Sequence, residues 1–134
     1  MARRIAREQV LQALYAVGVG SRDPAEAIDE IVGEGDGTEH RTFVRELVFG
    51  TLEFVPEADR VIAPLLESWT IERLPTVDRC ILRMATYEIC RRPEVPPAVV
   101  INEAVELAKK FSTEDSGRFV NGVLSAVVRT HAGA

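Results

Sequence analysis

Three arginines, Arg3, Arg4 and Arg7, stand at the beginning of the first predicted helix. A helix N-terminus carries about half a unit of positive charge, so cations are normally found at the opposite end. The guanidinium group offers a planar set of N–H donors that matches the oxygens of phosphate. This placement therefore predicts an anion site, with phosphate as the best-fitting ligand.

The charge of the whole chain is distributed unevenly around this cluster. Residues 1–20 contain three basic residues and one acidic residue, residues 21–60 four basic and eleven acidic residues, and residues 61–134 nine of each. Because nucleic acids are polyanions, the N-terminal end is suited to bind them and the acidic middle is not. The alternative interpretation is that the arginines are solvated charges on a frayed end and only maintain solubility.

Patterns typical of catalysis, metal binding or nucleotide binding are absent from the sequence. His40 and His131 fall in a predicted loop and in the C-terminal tail. Cys80 and Cys90 lie in one predicted helix, about 15 Å apart along its axis, which is too far for a disulfide. No glycine-rich loop precedes a lysine, and no cluster has metal-ligand spacing. We therefore expect a protein that is not an enzyme and that uses neither a cofactor nor a metal.

The length and composition are those of one globular domain. The chain has 134 residues, of which 46% are hydrophobic and 28% charged, and this is enough to bury a core. It shows neither a signal region nor an apolar run of about 18 residues. A cytoplasmic location follows as the expectation.

Apolar residues recur at spacings of three and four in nearly every segment, which predicts an all-α fold of about seven helices. The predicted helices run from about residue 3 to 17, 24 to 32, 39 to 54, 57 to 69 and 75 to 92, then from residue 96 onward and finally from the segment 112–115. Residues 1–134 should form a single domain. A soft division separates an N-terminal bundle, 1–55, from a C-terminal bundle, 56–134.

Individual residues in these helices have predicted structural roles. Pro56 should end the third helix, because proline lacks the N–H that a helix interior needs. Glu88 should pair with an arginine, whereas Glu103 belongs to a face that we predict to be solvated. Gly122 should permit close helix packing.

Several runs of the sequence resemble the NusB family. They are RRIARE (3–8), QALY (12–15), VDR (77–79), ILRMA (81–85), YEI (87–89), VVINEAVELAK (99–109), EDS (114–116) and FVNGVL (119–124). They occur in the family's order and spacing over nearly the whole chain. The match is most specific in the C-terminal half, and between residues 20 and 60 it is limited to the helical pattern and residues 43–50.

The resemblance implies an all-helical fold of two bundles, without catalytic activity, that binds the boxA element of ribosomal RNA leader transcripts. It implies NusE, a protein of the small ribosomal subunit, as partner, and action with RNA polymerase in a complex that resists transcription termination. Two alternatives remain open. One is a protein-only helical adaptor in ribosome biogenesis, and the other is a stand-alone relative of the module fused to ribosomal RNA cytosine methyltransferases.

By position, the resemblance also assigns site residues. The RNA-binding candidates are Arg3, Arg4, Arg7, Tyr15, Asp115, Arg118 and Phe119. The partner-binding candidates are Asp78 and Arg83. Ile5 interrupts a cluster that is a longer arginine run in some relatives, which implies weaker RNA binding or more dependence on NusE.

The arrangement of the candidates leaves several questions open. Arg7 falls about 20° from the core position Leu14 around the first helix, so we expect the arginines to overhang the neighbouring helices and to face the start of the last helix. Phe119 and Tyr15 could stack on bases, although burial frequencies favour a core role for Phe119. Asp115 either stabilises its helix N-terminus or repels phosphate and so limits RNA affinity. A homodimer through the first helix is also possible.

Overall fold

The computed structural model describes residues 3–131, and every regular element within that range is helical. The six α-helices are α1 (Arg4–Gly20), α2 (Pro24–Ile31), α3 (Thr38–Ile62), α4 (Thr76–Arg91), α5 (Pro97–Phe111) and α6 (Glu114–Thr130). Short 3-10 turns lie at Glu34–Asp36, Ala63–Leu65 and Ile71–Arg73. The all-α prediction is confirmed. None of the helices in the described range is long and apolar enough to cross a membrane.

α3 continues through Pro56, so the predicted helix boundary at that residue is wrong. Pro56 itself is exposed, which leaves the lost hydrogen bond on the solvent side of the helix. The positions on the opposite side, Phe54, Ala58 and Ile62, are all buried. Burial of this stripe offsets the cost of one missing bond. α3 thus continues across residues 55 and 56, where we predicted the boundary between an N-terminal and a C-terminal bundle. The division into two bundles stays a proposal.

α4 is the helix shared by both halves of the molecule. It packs against α1 and α3 on one side and against α5 and α6 on the other. Its buried residues include the polar Asp78, Thr86 and Glu88 beside an apolar majority. These polar groups lie in the interior of the molecule, where they require partners.

A close helix contact made by a glycine occurs at Gly50, but not at Gly122. A Cβ built on Gly50 of α3 would lie 2.2 Å from Oη of Tyr87 on α4. No atom lies within 4 Å of a Cβ built on Gly122, and that residue is exposed. The packing role predicted for Gly122 is therefore wrong, because its side of α6 faces solvent.

The two cysteines are free thiols, with Cys80 buried and Cys90 partly buried. Burial raises the pKa of both thiols, and neighbouring arginines oppose that shift. Both therefore stay protonated at neutral pH and are poor nucleophiles.

Candidate nucleic-acid interface

The arginines at the start of α1 are each paired with a carboxylate of another helix. Arg3 contacts Glu39 of α3, Arg4 contacts Glu103 of α5, and Arg7 contacts Glu88 of α4. The N-terminal turn of α1 is thereby tied to three other helices. The three pairs differ in burial, and this determines which arginine is available to an external anion.

Arg7 lies in the interior. Its Nε and Nη2 atoms donate to the two oxygens of Glu88 at 2.9 and 2.7 Å. The side chains are only 4% and 2% exposed, respectively, and the ring of Phe43 lies under the Arg7 guanidinium, 5.5 Å away. The predicted pairing of Glu88 with an arginine is confirmed. Arg7 does not overhang the neighbouring helices, because its position on the core stripe of α1 buries it.

Arg4 is half-exposed, but its partner is not. Its Nε and Nη2 atoms donate to Glu103 at 3.1 and 2.8 Å, and the exposed fractions of the two side chains are 52% and 3%. Hydrogen bonding to Glu103 raises the pKa of the Arg4 guanidinium, and the charges of Glu106 and Glu8 add to this effect. The prediction that Glu103 lies on a solvated face is wrong, since the ion pair allows its burial.

Arg3 has the most exposed partner of the three. Its guanidinium stacks on the ring of Phe43 at 4.3 Å and donates to the exposed Glu39 at 3.3 Å. Ion pairs between exposed groups contribute about 0–1 kcal/mol, so phosphate can replace Glu39 at little cost.

The end of α5 lies between α1 and the start of α6. Lys110 donates to Glu8 of α1 at 2.9 Å, and a Cβ on Gly117 of α6 would lie 3.0 Å from the side chain of Lys109. We call Arg3, Arg4, Lys109, Lys110 and Arg118 the basic edge. Through these contacts α5 links the first helix to the start of α6.

Tyr15 continues the basic edge along α1. It is an exposed residue, and at about 100° per residue it lies about 20° from Arg4 around the helix. Glu8, which holds Lys110, lies on the same face. Tyr15 is therefore positioned beside the basic edge, where its ring is open to solvent.

The start of α6 is capped and anchored from within. The hydroxyl of Thr113 accepts a hydrogen bond from the backbone N–H of Ser116 at 3.0 Å, and the hydroxyl of Ser116 donates to Asp78 at 2.9 Å. Asp78 is buried. It thus fixes the first turn of α6 from the interior, on the side away from solvent.

Asp115 and Arg118 form an ion pair on the solvent side of the same turn. Their side chains are 87% and 73% exposed. Phe119 is half-buried and lines an open groove of about 650 Å³ between α6 and the segment 64–69, together with Arg118 and the exposed Trp69. Phe119 is thus placed between the core and the surface.

Arg83 of α4 pairs with Asp59 of α3 through two hydrogen bonds of 2.9 and 2.8 Å. Both side chains are partly exposed. The two partner-binding candidates therefore differ in position, since Arg83 reaches the surface and Asp78 does not.

Comparison with known proteins identifies the family. The model of the NusB family matches residues 4–129. The chain belongs to the NusB family. The family's transcription antitermination protein from Geobacillus kaustophilus is 51% identical, with 95% of each chain covered. The corresponding protein from Pelotomaculum thermopropionicum is 48% identical over 97% of this chain and 91% of that one.

Solved structures of the family superpose on the whole fold. The NusB structure from T. maritima is 37% identical, with a TM-score of 0.91 over 97% of this chain and 92% of that one. A crystal structure of the antitermination factors NusB and NusE in complex with double-stranded RNA is 30% identical, with a TM-score of 0.88. That match covers 97% of this chain and 98% of the NusB-like chain in the complex.

Several residues of the candidate interface were missed by sequence reasoning. Lys109 and Lys110 are the only lysines of the chain, and their position just before the family's EDS run was a signal that could have found them. Glu103 and Phe43 carried no comparable signal, because their roles depend on contacts with distant parts of the chain.

Proposed function

We propose that this protein is a transcription antitermination factor that binds boxA RNA together with NusE and helps RNA polymerase to resist termination. The likeness to the NusB–NusE–RNA structure over nearly the full length of both chains carries the proposal. The protein acts as a binding partner in the cytoplasm and not as an enzyme. The alternatives are a protein-only adaptor and a methyltransferase-related module. Measurements of RNA binding test the proposed function against them.

The basic edge is the RNA-binding surface in this proposal. Arg3 and Arg4 are partly exposed and carry donors to the surface, whereas Arg7 supports the site from the interior through Glu88. Phosphate contacts fix the position of a nucleic acid, and exposed rings stack on unpaired bases. Tyr15 supplies one such ring, and Phe119 supplies a second at the rim of the groove.

The surface for the protein partner lies around Arg83 and on the 64–69 side of the groove, at Trp69, whereas Phe119 lies on the α6 side of the groove. Exposed aromatic and arginine side chains are enriched among the anchors of protein interfaces, and Trp69 is 54% exposed. Asp78 serves this surface indirectly in the proposal, since its hydrogen bond to Ser116 holds α6 in place. Self-association through the exposed face of α1 stays a prediction.

Binding of boxA RNA in the presence of NusE should depend on Arg3 and Arg4. The slope of log K against log salt is negative, and each lost phosphate contact to single-stranded RNA reduces its magnitude by about 0.7. The double variant Arg3→Gln with Arg4→Gln should therefore reduce the magnitude of the slope by about 1.4. Anisotropy titrations across a series of salt concentrations measure this slope. Arg60→Ala is the matched control, because Arg60 is exposed near the far end of α3, about 30 Å along the helix from Glu39.

The protein-only alternative makes the opposite forecast. It holds if the complex with NusE binds boxA RNA no better than NusE alone and if the double variant matches the wild type. A slope change of about 0.7 in Arg60→Ala, which removes one positive charge, would show that the total charge, and not the basic edge, sets the affinity.

Asp115→Asn should tighten RNA binding about threefold to tenfold at low salt, since it removes a negative charge beside the phosphates and releases Arg118. Glu114→Gln is the control, because Glu114 is an exposed acid in the same helical turn. Both variants should lose about 0.3–1 kcal/mol of favourable interaction with the helix dipole. Equal RNA affinities for the two variants, with lower stability, would leave Asp115 only a structural role.

A further inference from the structure

We propose that Glu103 competes with the RNA phosphate for Arg4 and so limits the affinity of this protein for RNA. The inference rests on the proposed function and assigns an affinity-determining role to a residue inside the fold. The two side chains of this ion pair differ in exposure, since the Glu103 carboxylate is 3% exposed and the Arg4 guanidinium is 52% exposed.

The edge of Arg4 that Glu103 occupies is an edge that suits phosphate. Nε and Nη2 donate in parallel to the two carboxylate oxygens at 3.1 and 2.8 Å. Paired N–H donors of this kind form the bidentate contact that arginine makes with phosphate as well. With Glu103 in place, an RNA phosphate reaches only the outer edge of the guanidinium.

The ion pair between Glu103 and Arg4 is too costly to break when RNA binds. Among the described residues, its hydrogen bonds are those from Arg4. Withdrawal of Arg4 would leave a buried carboxylate without a partner, which costs more than an ordinary lost hydrogen bond. Arg3 is different, because its partner Glu39 is exposed and regains water when the pair opens.

The other carboxylates around Arg4 are already matched by lysines. Lys110 lies 2.9 Å from Glu8, and Lys109 lies 3.8 Å from Glu106. Both lysines belong to the basic edge, so their acidic partners offset them at the surface. Glu103 is the carboxylate in this group that binds Arg4 directly.

Glu103→Gln tests the competition. Gln keeps the size of the side chain, but in either orientation its amide N–H group opposes one of the two Arg4 donors, Nε or Nη2, so the paired contact is lost. In the complex with NusE, we expect the Kd for a short single-stranded boxA RNA to fall about tenfold, the size of one hydrogen bond to a charged group. Fluorescence anisotropy at low ionic strength measures the Kd, and thermal melts confirm that the variant is folded.

Glu106→Gln is the matched control, because Glu106 stands one turn further along α5, removes the same charge and is more exposed. Loss of this surface charge, which pairs with Lys109 of the basic edge, should lower the Kd by about threefold, clearly less than the gain from Glu103→Gln. The gain from Glu103→Gln should also disappear in an Arg4→Gln background. Glu103→Met, which leaves no polar atom in the buried site, should reproduce the gain if the Gln variant folds poorly.

Three results would overturn the inference: equal gains from Glu103→Gln and Glu106→Gln, a weaker affinity in Glu103→Gln, or a gain that persists without Arg4. The proposed function fails separately. If the wild-type complex binds boxA RNA no better than NusE alone, the function is wrong. If the wild type binds and the Glu103 variants show no specific gain, only the competition is wrong.

Discussion

Glu88→Ala will lower the free energy of unfolding by about 3–5 kcal/mol, because it removes the buried carboxylate of the ion pair between Glu88 and Arg7. The pair joins α1 to α4 through two short hydrogen bonds, and both side chains are almost fully buried. Urea denaturation measures the loss as a shift of the midpoint at constant slope. The variant should also lose RNA affinity, since the first turn of α1 carries Arg3 and Arg4.

A double variant separates the charge from the packing. Arg7→Met with Glu88→Leu replaces the buried ion pair by apolar side chains, and such replacements are often neutral or stabilising. The double variant should therefore recover most of the stability lost in Glu88→Ala. A double variant as unstable as Glu88→Ala would mean that the specific geometry of the pair, including the contact of Arg7 with Phe43, holds α1 in place.

Gly50→Ala will destabilise the protein by about 1–3 kcal/mol, as is typical when atoms are added at a tightly packed contact. The added Cβ would lie 2.2 and 2.3 Å from the Oη and Cζ atoms of Tyr87. The ring of Tyr87 packs edge-on against Phe54, with centroids 5.8 Å apart. Movement of the ring away from residue 50 therefore disturbs a second contact between α3 and α4.

Gly122→Ala is the matched control, because the same substitution falls in the middle of α6, in open space. Alanine should stabilise this helix by about 0.5–1 kcal/mol through its higher helix propensity. Thermal denaturation of the two variants should move the midpoint in opposite directions. A stabilising effect at both positions would show that Tyr87 moves aside without loss.

The periodicity of the sequence predicted the helices well, because burial of an apolar stripe is a local property of each segment. Pro56 shows the limit of that reasoning. Its missing N–H is a local signal, but the outcome depends on tertiary packing, which buries Phe54, Ala58 and Ile62 in the core. The gain from that packing exceeds the loss of one bond, and the chain stays helical.

The site was harder to predict than the helices, because its contacts join distant segments. The helical wheel placed Arg7 beside the core stripe, and the charge of the side chain favoured an exposed position. Its partner Glu88 is 81 residues away, and the partner of Arg4, Glu103, is 99 residues away. A buried carboxylate and a solvated one look alike in a sequence until the pairing is known.

The uninterrupted course of α3 fixes the distance between two ion pairs at its ends. Glu39, in its first turn, pairs with Arg3, whereas Asp59, near its end, pairs with Arg83. These two positions are about 30 Å apart along a single helix. In the proposed function, α3 therefore sets the distance between the RNA contact at Arg3 and the protein contact at Arg83. RNA and NusE, when both are bound, have to occupy sites about this far apart.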